Sequence, residues 1–136
     1  MPTFSRTRKL AFLLLLISIA ACATTPDEVE LLDKSTRAYE RALRWQEYDV
    51  VIGFHKGGRD TLTAAQRDYL KRFRVTSYDE VYLKMGPDNK TATQVVVLKY
   101  YNVEYAMVRE LTINNHWEYD AKSQLWLLTN PLPKFK

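Results

Sequence analysis

The chain has 136 residues, with 20 Lys and Arg against 16 Asp and Glu, a formal net charge of +4, and a single cysteine, Cys22. A chain of this length can bury one hydrophobic core, and one cysteine excludes an internal disulfide framework or a cysteine metal site. The basic balance would suit a nucleic-acid binder only if the cations lay in the folded part, and three of them do not.

Those three, Arg6, Arg8 and Lys9, precede the apolar run Leu10–Ala21, which ends in the small residues Ala20 and Ala21 and then Cys22. A membrane-spanning helix needs about 20 apolar residues, so this shorter run fits the apolar region of an export signal. The residues "IAAC" at 19–22 resemble the lipobox of bacterial lipoproteins. That resemblance implies a signal peptide over 1–21, lipid modification of Cys22, and cleavage before it. Ala23 follows where an aspartate would favour retention at the inner membrane, so the resemblance implies the periplasmic face of the outer membrane. Removing the three leader cations leaves 17 basic and 16 acidic residues, and nucleic acid is not implied.

Residues 22–28 read as the modified cysteine and a short polar tether, "ATTPDE" from Ala23 to Glu28. Six residues reach about 20 Å when extended. The folded domain, 29–136, is thus expected close to its membrane. Its first helix runs from Val29 to His55 with a break, because Leu32, Thr36, Tyr39, Leu43, Tyr48, Val51 and Ile52 recur at three- and four-residue spacing. "KGGRD" at 56–60 stops it. A second helix opens at Thr63, with Gln66 at the capping-box position, and runs to about Arg74. Its Arg67, Lys71, Arg72 and Arg74 form a solvated face, or one facing anionic headgroups where a membrane is near.

The apolar period then shortens to two. Strands are expected at Val75–Met85, Thr91–Tyr101, Tyr105–Tyr119 and Gln124–Thr129. "GPDNK" (86–90), "NVE" (102–104) and "DAKS" (120–123) connect them. Helices followed by an antiparallel meander make an α+β plan: N-terminal helices packed on a curved antiparallel sheet of about four strands.

This order, with "AYERALRWQEYDVVIGFH" at 38–55 and the strands ending "HWEYD" and "LWLLTN", resembles the nuclear transport factor 2-like superfamily of cone-shaped α+β domains. The resemblance implies a pocket between sheet and helices, which some members use as enzymes of ketosteroid-isomerase or dehydratase type. No catalytic residue carries over by position. Tyr39, Tyr82, Tyr105 and Trp117 are candidate pocket-lining residues for a small apolar ligand, or else core fillers. His55 and His116 lack further ligands at metal spacing, so no metal or other cofactor is implied. His55 follows a helix end, where a cation would suit the dipole. The strands "TQVVVLKYY" and "LWLLTN" are apolar enough for an envelope protein partner or a homodimer. The expected function is a membrane-anchored binding or accessory module of the cell envelope, with a small pocket enzyme as the competing class.

Overall fold

The computed structural model describes residues 27–58 and 62–136. The signal segment and Cys22 lie outside the described residues, as do Arg59 and Asp60 of the "KGGRD" stop and Thr61 beyond it. Three helices, α1 (Glu28–Arg44), α2 (Tyr48–Gly53) and α3 (Ala64–Leu70), precede four strands, β1 (Phe73–Met85), β2 (Thr91–Asn102), β3 (Val108–Asp120) and β4 (Leu125–Leu128). The strands form one antiparallel sheet in the order β1-β2-β3-β4. The α+β expectation holds.

Local chemistry explains the boundaries. The side chain of Asp27 accepts from the backbone N–H of Glu30 at 2.8 Å, so α1 starts one residue before the apolar pattern announces it. Leu32, Thr36, Tyr39, Ala42 and Leu43 form its buried stripe. The solvent side carries the i,i+4 pairs Glu30–Lys34, Asp33–Arg37 and Glu40–Arg44. Gln46, at φ 60°, makes the break between α1 and α2. Thr63 and Gln66 form the expected capping box of α3. That helix ends at Leu70, and Phe73 already belongs to β1, because its ring is needed in the core against Tyr100 and Phe135.

One face of the sheet carries Ala92, Gln94, Val96, Leu98 and Tyr100 from β2, and Ile113, Asn115 and Trp117 from β3, all buried beneath the helices. The intervening residues, among them Val95, Val97 and Tyr101, point to the outer face. After α2 the chain clips onto β4: Leu128 N–H donates to the Phe54 carbonyl and Lys56 N–H to the Leu128 carbonyl. That clip brings His55 beside Leu128 and fixes its ring for the site described next. Among the described residues no helix is long and apolar enough to cross a membrane.

Candidate functional site

Two of the four aromatic candidates meet. Tyr39 of α1 and Trp117 of β3 are both buried, with ring centroids 5.8 Å apart at 88°, an edge-to-face contact. Tyr82 and Tyr105 do not join them. Tyr82 sits on β1 opposite Val95, toward the β1–β2 turn, and is 46% exposed. Tyr105 lies in the loop between β2 and β3, at the other end of the sheet, and is 74% exposed. The four therefore do not line one pocket. Alternation placed Tyr105 on the inner face correctly only if β3 began there, and the strand begins at Val108.

Phe54 packs edge-on against both rings, and polar groups reach the Tyr39 hydroxyl and the Trp117 indole nitrogen. The Tyr39 hydroxyl is 3.2 Å from His55 Nε2, and His55 Nδ1 is 2.8 Å from the Asn130 carbonyl. A carbonyl only accepts, so the proton is on Nδ1 and Nε2 accepts from Tyr39. Asn130 Nδ2 donates to Asn115 Oδ1 (3.2 Å), and Asn115 Nδ2 donates to Gln94 Oε1 (3.0 Å). Trp117 Nε1 and the Tyr78 hydroxyl also donate to Gln94 Oε1, at 3.0 and 3.3 Å. Gln94 Nε2 then donates to Glu80 Oε2 at 2.7 Å. The indole N–H is a donor only, so it settles which way the Gln94 amide faces. Every donor in this chain is directed from Tyr39 toward Glu80, and bonds aligned in this way polarise one another.

The chain surfaces in a cavity of about 240 Å³ lined by Asp33, Thr36, Arg37, Glu40, Tyr78, Glu80 and Gln94. Burial, reinforced by the negative charges of Glu40 and Glu80, holds the Tyr78 hydroxyl protonated well above its ordinary range. Burial likewise holds Tyr39 protonated. The cavity therefore offers carboxylates and a neutral phenol. The amides of Gln94, Asn115 and Asn130 orient groups but do not transfer protons, so the chain positions side chains and is no proton wire.

His55 differs from its expected role as a helix-end cation. It is buried, and desolvation lowers its pKa, opposed in part by the Asn130 carbonyl. The other histidine, His116, is exposed on the outer face opposite Thr93. Because folded His55 binds a proton less readily than the unfolded side chain, its contribution to stability is full above pH 6.5 and declines as pH falls below that value. Denaturant midpoints measured from about pH 7 down to about pH 5 should fall, and the His55→Asn variant should lose that slope, whatever its baseline. The carboxylates with lowered pKa, Glu28, Asp88 and Asp120, act in a separate window, below their ordinary values of 4.5, 3.8 and 3.8.

Among solved structures, two that resemble the chain in fold are SEC-C motif containing proteins. A SEC-C motif containing protein from Rhodopseudomonas palustris matches with a TM-score of 0.54 and 8% identity, over 66% of this chain and 68% of that one. A sec-c motif containing protein from Psychrobacter arcticus matches with a TM-score of 0.59 and 8% identity, over 83% of this chain and 66% of that one. The likeness is one of fold. It corrects the nuclear transport factor 2-like assignment: element order and apolar pattern led to the right class of architecture and the wrong family name. The names of these two proteins do not bear on the cysteine motif at 19–22, which lies outside the described residues. No protein-family model matches the chain, and no curated protein matches it in sequence.

Proposed function

We propose that the protein is a membrane-anchored module of the bacterial cell envelope, held through lipid on Cys22 at the periplasmic face of the outer membrane, and that it works by binding. The observation that carries the binding half is the bare outer face of the sheet. Helices cover the inner face; on the other, Tyr82 stands opposite Val95 and Tyr101 opposite Val108, with half-buried Val97 between Asp79 and Thr112. Two apolar cross-strand pairs on a face that no helix covers give a partner somewhere to dock. The occupant is an envelope protein or a second copy of the chain. The buried polar groups beneath the inner face support a binding role over catalysis, since Asn115 and Trp117 donate to Gln94 and His55 is held between Tyr39 and the Asn130 carbonyl.

The anchoring half rests on the export-type segment ending at Cys22 and on how little chain separates Cys22 from the cap of α1 at Asp27. Cells fed labelled palmitate should incorporate it into the wild-type protein and lose it completely in Cys22→Ser. Outer-membrane fractions should lose the protein in parallel. Retention of label by the serine variant would sink the anchor. A photo-crosslinker placed at Val97 tests the face, and adducts that form equally well from Glu30 on the helix side would discount it.

A further inference from the structure

The connection between β2 and β3 has the wrong composition for an ordinary hairpin loop. Such turns favour Gly, Asn, Asp and Pro. Here the segment is Val103–Glu104–Tyr105–Ala106–Met107 followed by Val108, and Tyr105, Met107 and Val108 are exposed to 74%, 61% and 61%. The loop is also held in shape. Asn102 accepts from the backbone N–H of Glu104 through its side chain and from those of Tyr105 and Ala106 through its carbonyl. Ala106 takes a φ of 51°, a left-handed conformation that costs an L-residue energy and recurs at functional sites. An ordered loop thus holds bulky apolar side chains in water.

More of the same chemistry gathers at this end of the molecule. Val103 N–H donates to the Arg72 carbonyl, which places the loop beside the α3–β1 junction. Gln46 donates to the carbonyls of Lys71 and Phe73, which brings the end of α1, with Trp45 at 75% exposure, to the same junction. Cations surround these apolar groups: Lys71, Arg72, Arg74, Arg109 and Lys136 are all exposed. Arg109 and Lys136 line a cavity of about 310 Å³ together with Asn102, Tyr105 and Met107. Three acids stand among them: Glu104 faces Arg72 at 4.0 Å, and exposed Glu47 and Glu110 neighbour Gln46 and Arg109. The opposite end, where α1 begins, is closer to balanced: Asp27, Glu28, Asp88, Glu118 and Asp120 stand with Lys56, Lys84, Lys90 and Lys122. Strands of 12 and 13 residues separate the two ends by roughly 40 Å.

We propose that the β2–β3 tip is a membrane contact for anionic phospholipid surfaces. Tyr105, Met107, Val108 and Trp45 seat in the headgroup boundary, and Arg109, Lys136 and the junction cations take the phosphates. Aromatic residues with an apolar body and polar tip suit that boundary, and each nearby cation adds attraction to an anionic leaflet. The inference does not depend on the Cys22 anchor. With the anchor, its consequence is orientation: the chain is held at the α1 end and the basic tip is drawn in, so the long axis lies along the membrane.

Trp45 supplies the test, because the other two tryptophans, Trp117 and Trp126, are fully buried. The full chain also carries its N-terminal apolar segment, so the readout must be local to the tip. With phosphatidylglycerol vesicles, Trp45 emission should shift to shorter wavelength and be quenched by bromine-labelled acyl chains. With phosphatidylcholine alone neither should occur. The Trp45→Phe variant should lose the response. Tyr105→Ser with Met107→Ser should weaken it, as should Arg109→Gln with Lys136→Gln, all at exposed positions where circular dichroism should be unchanged. The response should fade near 1 M salt, where the Debye length is about 3 Å. An equal response with phosphatidylcholine, an equal response to inorganic phosphate without vesicles, or none with phosphatidylglycerol would overturn the proposal. Loss of labelled palmitate without loss of the Trp45 response would remove the anchor alone.

Discussion

Replacing Gln94 by leucine is expected to lower the unfolding free energy by about 3–5 kcal/mol, since several buried donors lose their acceptor at once and each such loss costs about 1–3 kcal/mol. Gln94 is fully buried, and its Oε1 receives Trp117 Nε1, Asn115 Nδ2 and the Tyr78 hydroxyl. Leucine fills much of the same volume, so the loss reports on unsatisfied polar groups and only slightly on a cavity. Gln94→Glu is the informative companion. It keeps an acceptor for the three donors but replaces the bond to Glu80 with a repulsion between carboxylates. It should fall between wild type and leucine near neutral pH and recover as the pair takes up a proton. Urea denaturation of the three proteins decides the matter. A leucine variant as stable as wild type would mean that the chain from Tyr39 to Glu80 is not a cooperative unit.

That chain shows where sequence and structure part. The period-two pattern of "TATQVVVLKYY" puts Gln94 on the same side as Ala92, Val96 and Leu98, and that of "LTINNHWEYD" puts Asn115 with Ile113 and Trp117. A glutamine and an asparagine on the inward parity of two apolar strands are a readable sign of a buried polar pair. Register makes them partners, and register depends on turn length: Gln94 faces Asn115 because the β2–β3 connection takes five residues. A tight three-residue turn at 102–104 would have moved the pairing. The same few residues decide whether Tyr105 and Met107 enter the core or stand in solvent. Helix starts were legible to within a residue because caps are local chemistry, as at Thr63 and Gln66. The partners of His55 were not, since Asn130 lies 75 residues away and reaches it only once Leu128 has clipped onto Phe54. The family name failed for a related reason. Two helices followed by a meander is a plan that unrelated sequences reach by the same layer packing.

Trp126→Ala should cost about 3–5 kcal/mol, the usual range for removing a buried aromatic side chain. Its indole is fully buried, packs against Tyr119 with centroids 5.5 Å apart, and donates from Nε1 to the Glu28 carbonyl at 2.8 Å. The hydrogen bond spans 98 residues and ties the first turn of α1 to β4. Lys90 strengthens the same corner by pairing with Glu28 and lying 4.6 Å over the Tyr119 ring. Trp126→Phe separates the two contributions: it keeps most of the packing and loses only the tie, about 1 kcal/mol. Amide hydrogen exchange then locates the effect. In the phenylalanine variant the first turn of α1 should exchange faster while Val96 and Ile113, paired at the centre of the sheet, keep their protection. Uniformly faster exchange would show that the tie holds the whole core. Protection unchanged at α1 would show that Asp27 and Lys90 suffice there. Under the proposed anchor the corner matters further: α1 would start where the tether enters the domain, and its stiffness would decide whether the module tilts freely or keeps one face to a membrane.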